Sequence, residues 1–294
     1  MSLFRFTSLL LAAHAAAQKC PLQFDARVPQ DFALADFDAP NDVFNSDFVK
    51  GKDLVFSEIL ELSPESTLFD VNTVPLVLTI NDDSIFAPSA DNVQTGFRRA
   101  ELMAVSNSGS DDSTIGIKTL HFSLAKDSLR PLNLSHEYQL VFLESADFST
   151  NQFALKTGTI LGGNTADPDT LQLFGNINDG QLLFTTPFTD DVIHNFALKL
   201  DFEGLTTQVF YSQGAAALEA VTEALPNDVS GQGQFHFGLL KKPTGSTGDI
   251  TKEGFQPSGI NEGVLYGGIF EEDSTGDCIS LSPSCNQSQR RRRR

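Results

Sequence analysis

The sequence predicts an all-β fold, a two-sheet sandwich or barrel, and three observations carry that prediction. Short apolar or alternating segments recur along the chain, turn-forming clusters punctuate them, and helical patterning is almost absent. The expected strands are Leu76–Ile80, Gly96–Met103, Ile117–Leu124, Tyr138–Leu143, Gln152–Lys156, Leu182–Phe184, Asn195–Phe202, Thr207–Tyr211, Gln234–Leu239 and Val264–Phe270. Between them lie Asn81-Asp82-Asp83, Gly162-Gly163-Asn164, Asn178-Asp179-Gly180 and Pro243-Thr244-Gly245, residues that favour tight turns. Only Gly214–Leu225, with its AAALEAVTEAL run before Pro226, has helical composition, and a helix is expected there.

The 294 residues are 40% apolar and 10% aromatic, which suits one globular domain and excludes disordered, collagenous and coiled-coil chains. Charge is lopsided, with 38 Asp+Glu against 20 Lys+Arg. Six of the basic residues are Arg5 and the run Arg290–Arg294, so residues 18–289 hold 14 basic against 38 acidic groups, a charge of −24. Such a field repels phosphate backbones and anionic lipid, so neither nucleic acid nor membrane is an expected partner.

Residues 1–17 read as a secretory signal peptide: Arg5 precedes an apolar stretch from Phe6 too short to span a bilayer, and Ala15-Ala16-Ala17 offers a small-residue cleavage site. A secreted, extracellular product is expected, with one domain over 18–275 and a polar tail over 276–294 ending in the arginine run. The three cysteines, Cys20, Cys278 and Cys285, sit at the ends, and in an oxidising compartment two of them should pair. Asn133-Leu134-Ser135 and Asn286-Gln287-Ser288 are glycosylation sequons. No motif calls for a metal or an organic cofactor, and a monomer is expected.

Alternation along a strand places every second side chain on the outer face, where chemistry is available. In Phe97-Arg98-Arg99-Ala100-Glu101-Leu102, inward Ala100 and Leu102 leave Arg99 and Glu101 together outside. A charged pair in the middle of a strand is costly unless exposed or paired, and a concave sheet face used as a cleft would accommodate it. Glu137 and Glu144 open and close the next candidate strand, Gln152 and Lys156 face out on the one after, and His236 lies opposite Phe235 and Phe237, beside Gly238. Glycosidic cleavage needs one acid for the leaving oxygen and a second carboxylate as base or nucleophile, and a histidine can hold a carboxylate in its working state. The expected catalytic residues are therefore Glu101, Glu144 and His236; Arg99, Glu137, Gln152, Lys156 and His121 are expected to bind substrate. His194 is expected on the back sheet, away from the chemistry. No GxSxG elbow or phosphate-cradling glycine loop is present.

The segments TGFRRAEL (95–102), KTLHFSLAKD (118–127), RPLNLSHEYQLVFLESADFSTNQFALKTGTI (130–160), SGQGQFHFGLLKKPTG (230–245) and EGVLYGGIFEED (262–273) resemble fungal glycoside hydrolase family 131. That resemblance implies a β-jelly roll and a broad-specificity β-glucanase, exo-type on β-1,3 and β-1,6 glucan and endo-type on β-1,4 glucan. It also implies a glutamate-lined cleft onto which Glu101, Glu144 and Glu137 map. The chain departs from the expected pattern in having no tryptophan and in placing Ile193 where an aromatic is expected, so sugar rings must meet Phe, Tyr138, Tyr211, Tyr266 or hydrogen bonds.

Two other readings fit the same residues. Arg-Arg-Ala-Glu-Leu is similar to the Arg-x-Glu-Leu strand of jelly-roll alginate lyases, although an acidic body suits a polyuronate poorly. A non-catalytic glucan-binding module is the third, since sandwiches commonly serve as lectins.

Overall fold

The computed structural model describes residues 20–105 and 111–283. The signal peptide, the arginine run, Cys285 and the Asn286 sequon lie outside the described residues. Two antiparallel sheets face each other. The six-stranded sheet runs in the order Leu182–Pro187, Thr170–Phe174, Asn151–Gly158, Glu137–Glu144, Gln234–Lys241, Arg98–Leu102. The nine-stranded sheet is built around Thr206–Gln213, His194–Asp201, Ile117–Lys126, Asn261–Asp273 and Leu76–Asn81. This is the jelly-roll sandwich that the resemblance implies.

The core forms between the sheets because each strand turns alternate apolar side chains inward. Leu76, Leu78 and Ile80 from one sheet and Phe235, Phe237 and Leu239 from the other are all buried in a single cluster. The strands Glu137–Glu144, Asn151–Gly158 and Gln234–Lys241 of the six-stranded sheet are buried on their outer face as well. Phe97, Phe142, Ala154 and Leu240 make a second apolar layer there, and Ile250 packs against it.

The helix expected over Gly214–Leu225 does not form. Gly214 takes φ 59°, a left-handed turn, and two short strand pairs follow, Glu219–Ala220 and Leu225–Pro226, both against Thr206–Gln213. A helix this short must meet its nucleation cost from packing, and only Leu218 is deeply buried; edge pairing, as in the Val221 N–H to Val209 carbonyl bond of 2.9 Å, satisfies the backbone instead. The strand Thr170–Phe174 was not among the expected elements, although Leu171 and Leu173 alternate inward along it.

Cys20 and Cys278 are disulfide-bonded across 258 residues, tying the segment just before Leu22–Asp25 to the segment just after Asn261–Asp273. Between the sheets Lys241, fully buried, donates to Glu262 Oε1 at 2.6 Å, and the Tyr138 hydroxyl donates to Glu262 Oε2 at 2.7 Å. No helix among the described residues is long and apolar enough to cross a membrane.

Candidate active site

Three adjacent strands build the site. In Arg98–Leu102, Ala100 and Leu102 enter the core, which leaves Arg99 and Glu101 on the outer face. Arg99 grips Glu101 with both prongs of its guanidinium, Nε to Oε1 at 2.7 Å and Nη2 to Oε2 at 2.6 Å. Gln94 Oε1 accepts a third bond from Arg99 at 3.1 Å. Gly238 is the register partner of Glu101, and a Cβ there would fall 2.2 Å from the Ala100 carbonyl oxygen and 2.6 Å from the Glu101 Cα. The glycine therefore serves the close approach of two strands.

His236 sits between two carboxylates. Its Nδ1 is 2.7 Å from Glu101 Oε2 and its Nε2 is 3.5 Å from Glu144 Oε2. The ring stacks on Phe142 at 4.5 Å, nearly parallel, because His236 and Phe142 are register partners. A buried Nδ1 facing a carboxylate is a donor, so the remaining proton of a charged ring lies on Nε2. That atom has no hydrogen-bond partner among the described residues, since 3.5 Å is too long for a good bond. Arg99, Glu101, His236 and Glu144 thus form one line of charged groups, with one imidazole ring separating the two carboxylates.

The electrostatics follow from that line. Burial works against ionised Glu101, but the Arg99 guanidinium and His236 outweigh it and hold the carboxyl at about 2, below its ordinary 4.5. Burial likewise works against a charged His236, and the two carboxylates outweigh it, raising its pKa above the ordinary value. Glu101 is shielded completely, with 0% side-chain exposure, while Glu144 keeps 27%.

A pocket of about 720 Å3 opens on this face, lined by Arg99, His236 and Glu144 together with Phe48, Phe142 and Phe148. Gln139, Asn151, Gln234 and Lys242 add polar groups to its walls. Glu101 is not among the lining residues: it reaches the pocket through His236. Among the described residues no three of His, Cys, Asp or Glu converge as a metal site would.

The structure separates the remaining expected binding residues from this pocket. His121 lies on Ile117–Lys126 of the opposite sheet, fully buried, stacked on Phe270 at 4.3 Å and facing Glu272 at 3.0 Å. Its alternation with Leu120 and Phe122 is that of an outer-face residue, but of the other sheet, which strand periodicity alone does not identify. Gln152 is also fully buried and acts on the backbone, its Oε1 accepting from the Gly231 N–H at 2.7 Å and its Nε2 donating to the Gln232 carbonyl, so that it pins the loop leading into the His236 strand. Glu137 is held by Lys242 at 2.7 Å and Lys156 at 3.1 Å and accepts the Leu161 N–H. Neither Glu137 nor Lys156 lines the pocket; Lys242, the other lysine paired with Glu137, does. His194 is on the nine-stranded sheet, its Nδ1 2.7 Å from the Tyr211 hydroxyl, and burial lowers its pKa to about 4. Asn133 is exposed, its side-chain oxygen accepting from Ser135.

Sequence reasoning missed Lys242, Gln139 and the loop residues Phe48 and Phe148. A bulge in Glu137–Glu144 explains part of this: Leu140 and Val141 both enter the core, which breaks the alternation and leaves Gln139, Phe142 and Glu144 outside.

Carboxylates and an imidazole at one pocket are the residue types that acid–base cleavage of a glycosidic bond employs. Residues 22–277 match the family model of the glycoside hydrolase 131 catalytic N-terminal domain, and the chain belongs to that family of glycoside hydrolases. Among solved structures, a GH131 β-glucanase catalytic domain from Podospora anserina superposes with TM-score 0.69 at 20% identity, covering 89% of this chain and 98% of that one. The catalytic domain of a family 131 protein from Coprinopsis cinerea gives TM-score 0.68 at 21% identity, covering 90% and 98%. An endo-β-1,4-glucuronan lyase from Trichoderma reesei gives 0.46 at 11% identity, covering 88% and 97%. Comparison with curated proteins by sequence returned no match.

Proposed function

We propose that this glycoside hydrolase is a secreted β-glucanase that works in the 720 Å3 pocket, exo-type on β-1,3 and β-1,6 glucan and endo-type on β-1,4 glucan. The observation that carries the chemistry is the charged line ending at Glu144 and at the unpartnered His236 Nε2. His236, charged, gives its Nε2 proton to the departing sugar oxygen. Glu144 takes the proton of a water whose oxygen bonds to the anomeric carbon as the bond from that carbon to the departing sugar oxygen breaks. Glu101 is a positioning residue: clamped by Arg99, it stays ionised and keeps His236 oriented and protonated. The substrate class is supported by the family and by the Podospora relative, whose description names a β-glucanase. Secretion is supported by the leader pattern of residues 1–17 and by the Cys20–Cys278 bond, which suits an oxidising compartment.

Product analysis on laminarin, pustulan and a cello-oligosaccharide tests the reading. Short products cut from chain ends are expected on the first two and internal cleavage on the third. An unsaturated, ultraviolet-absorbing product from a polyuronate, with no sugar released from any glucan, would overturn it in favour of elimination.

A further inference from the structure

Phe148 occupies a position where a phenylalanine brings little structural return. It is a bulky non-glycine residue at φ 58°, in the left-handed region where a large side chain is strained. Its side chain is 73% exposed, so the ring contributes little to the core. The turn around it is nevertheless firmly built. The Phe148 N–H donates to the Ser145 carbonyl at 2.8 Å. The Asp147 carboxylate accepts from the Ser145 hydroxyl and from both the N–H and the hydroxyl of Ser149. The Thr150 N–H donates to the Ser145 hydroxyl at 3.1 Å. Asn and Gly are the residues that favour such a backbone, and this turn carries a phenylalanine instead.

The ring lines the same pocket as Glu144 and His236. It is joined to Glu144 by only a four-residue step along the hairpin that links Glu137–Glu144 to Asn151–Gly158. A flat, preorganised, water-exposed aromatic in the same pocket as a carboxylate suits the apolar C–H face of a pyranose ring, and the absence of tryptophan from the chain leaves that task to phenylalanine and tyrosine. Phe48, half-exposed on a separate loop, lines the pocket too.

We propose that Phe148 is the platform on which a glucosyl ring of the substrate stacks beside Glu144, setting affinity for the chain and not the rate of bond cleavage. This rests on the glucan reading given above. The turn holds the ring at the pocket at the expense of backbone strain, so a residue better suited to the turn should weaken binding without weakening the fold.

The test compares the unmodified protein with Phe148→Asn, Phe148→Tyr and Phe148→Trp, using calorimetric titration with a β-1,3-gluco-oligosaccharide, steady-state kinetics on laminarin, and thermal melting. For Phe148→Asn, Kd and KM rise about tenfold, kcat stays within about twofold, and Tm is unchanged or higher. Tyr and Trp restore binding to near the unmodified level. An Asn variant that binds as tightly as the unmodified protein would overturn the proposal, as would weakened binding that Tyr and Trp both fail to restore. If the oligosaccharide binds and Phe148→Asn loses it while no sugar is ever released, the platform stands and the hydrolytic reading falls. If the unmodified protein binds no glucan, the platform falls.

Discussion

Replacing Glu101 by glutamine separates a positioning role from a direct one. The substitution keeps the shape of the side chain and removes a charge that Arg99 holds at 2.7 and 2.6 Å and His236 at 2.7 Å. Glu101 is fully buried and Arg99 nearly so, so the guanidinium is left without its counter-charge, at a cost of about 3–5 kcal/mol. At roughly 2–4 °C per kcal/mol for a domain of this size, Tm should fall by roughly 10 °C. Activity should fall by about 10²–10⁴-fold, the contribution of one positioned acid, and the pH profile should change as well. The carboxylate raises the pKa of His236, so the active protonated form persists to higher pH when Glu101 is present and is lost as pH rises through that raised value. In the glutamine variant the alkaline limb of kcat/KM on laminarin therefore moves to lower pH. Residual activity with the alkaline limb unmoved would refute the positioning role, and so would near-normal turnover.

The same carboxyl governs acid stability. Its folded pKa of about 2 is depressed from 4.5, so its stabilisation is fully present above pH 4.5 and disappears as pH falls toward 2, on the order of 3 kcal/mol in all. Urea melts across that window should show the loss in the unmodified protein and a flatter dependence in Glu101→Gln. Glu262→Gln should destabilise by about 3–5 kcal/mol in equilibrium unfolding, because it strands the buried Lys241 ammonium between the sheets. Cys278→Ser should lower stability by about 2–5 kcal/mol and leave product profiles on glucan unchanged, since neither Cys20 nor Cys278 lines the pocket.

The architecture was legible because core-facing alternation survives in most strands, as in Leu76–Asn81 and Gln234–Lys241. The one expected helix fails because local propensity in AAALEAVTEAL is outweighed by an available sheet edge. Within the site, Arg99, Glu101 and His236 were legible as outward residues on clean strands, and Glu144 as the end of another. What alternation cannot state is which sheet a strand joins, so His121 reads like His236 although the two lie on opposite sheets. Nor does it distinguish an outward polar residue that meets solvent from one that meets the protein: Glu137 faces outward and is consumed by two lysines, while a register shift in Asn151–Gly158 puts Asn151 and not Gln152 at the pocket. Bulges and loops hide the rest, since the phase shift at Leu140 and the left-handed turn at Phe148 leave no periodic trace.

The most direct measurement is kcat/KM of Glu144→Gln on laminarin, with His121→Gln as a control on the opposite sheet and Tm recorded for both. A drop of about 10³-fold or more for Glu144→Gln at unchanged Tm, with the His121 variant as active per folded molecule as the unmodified protein, is predicted. A Glu144→Gln enzyme within about tenfold of full activity would contradict the assignment of the chemistry to this end of the charged line.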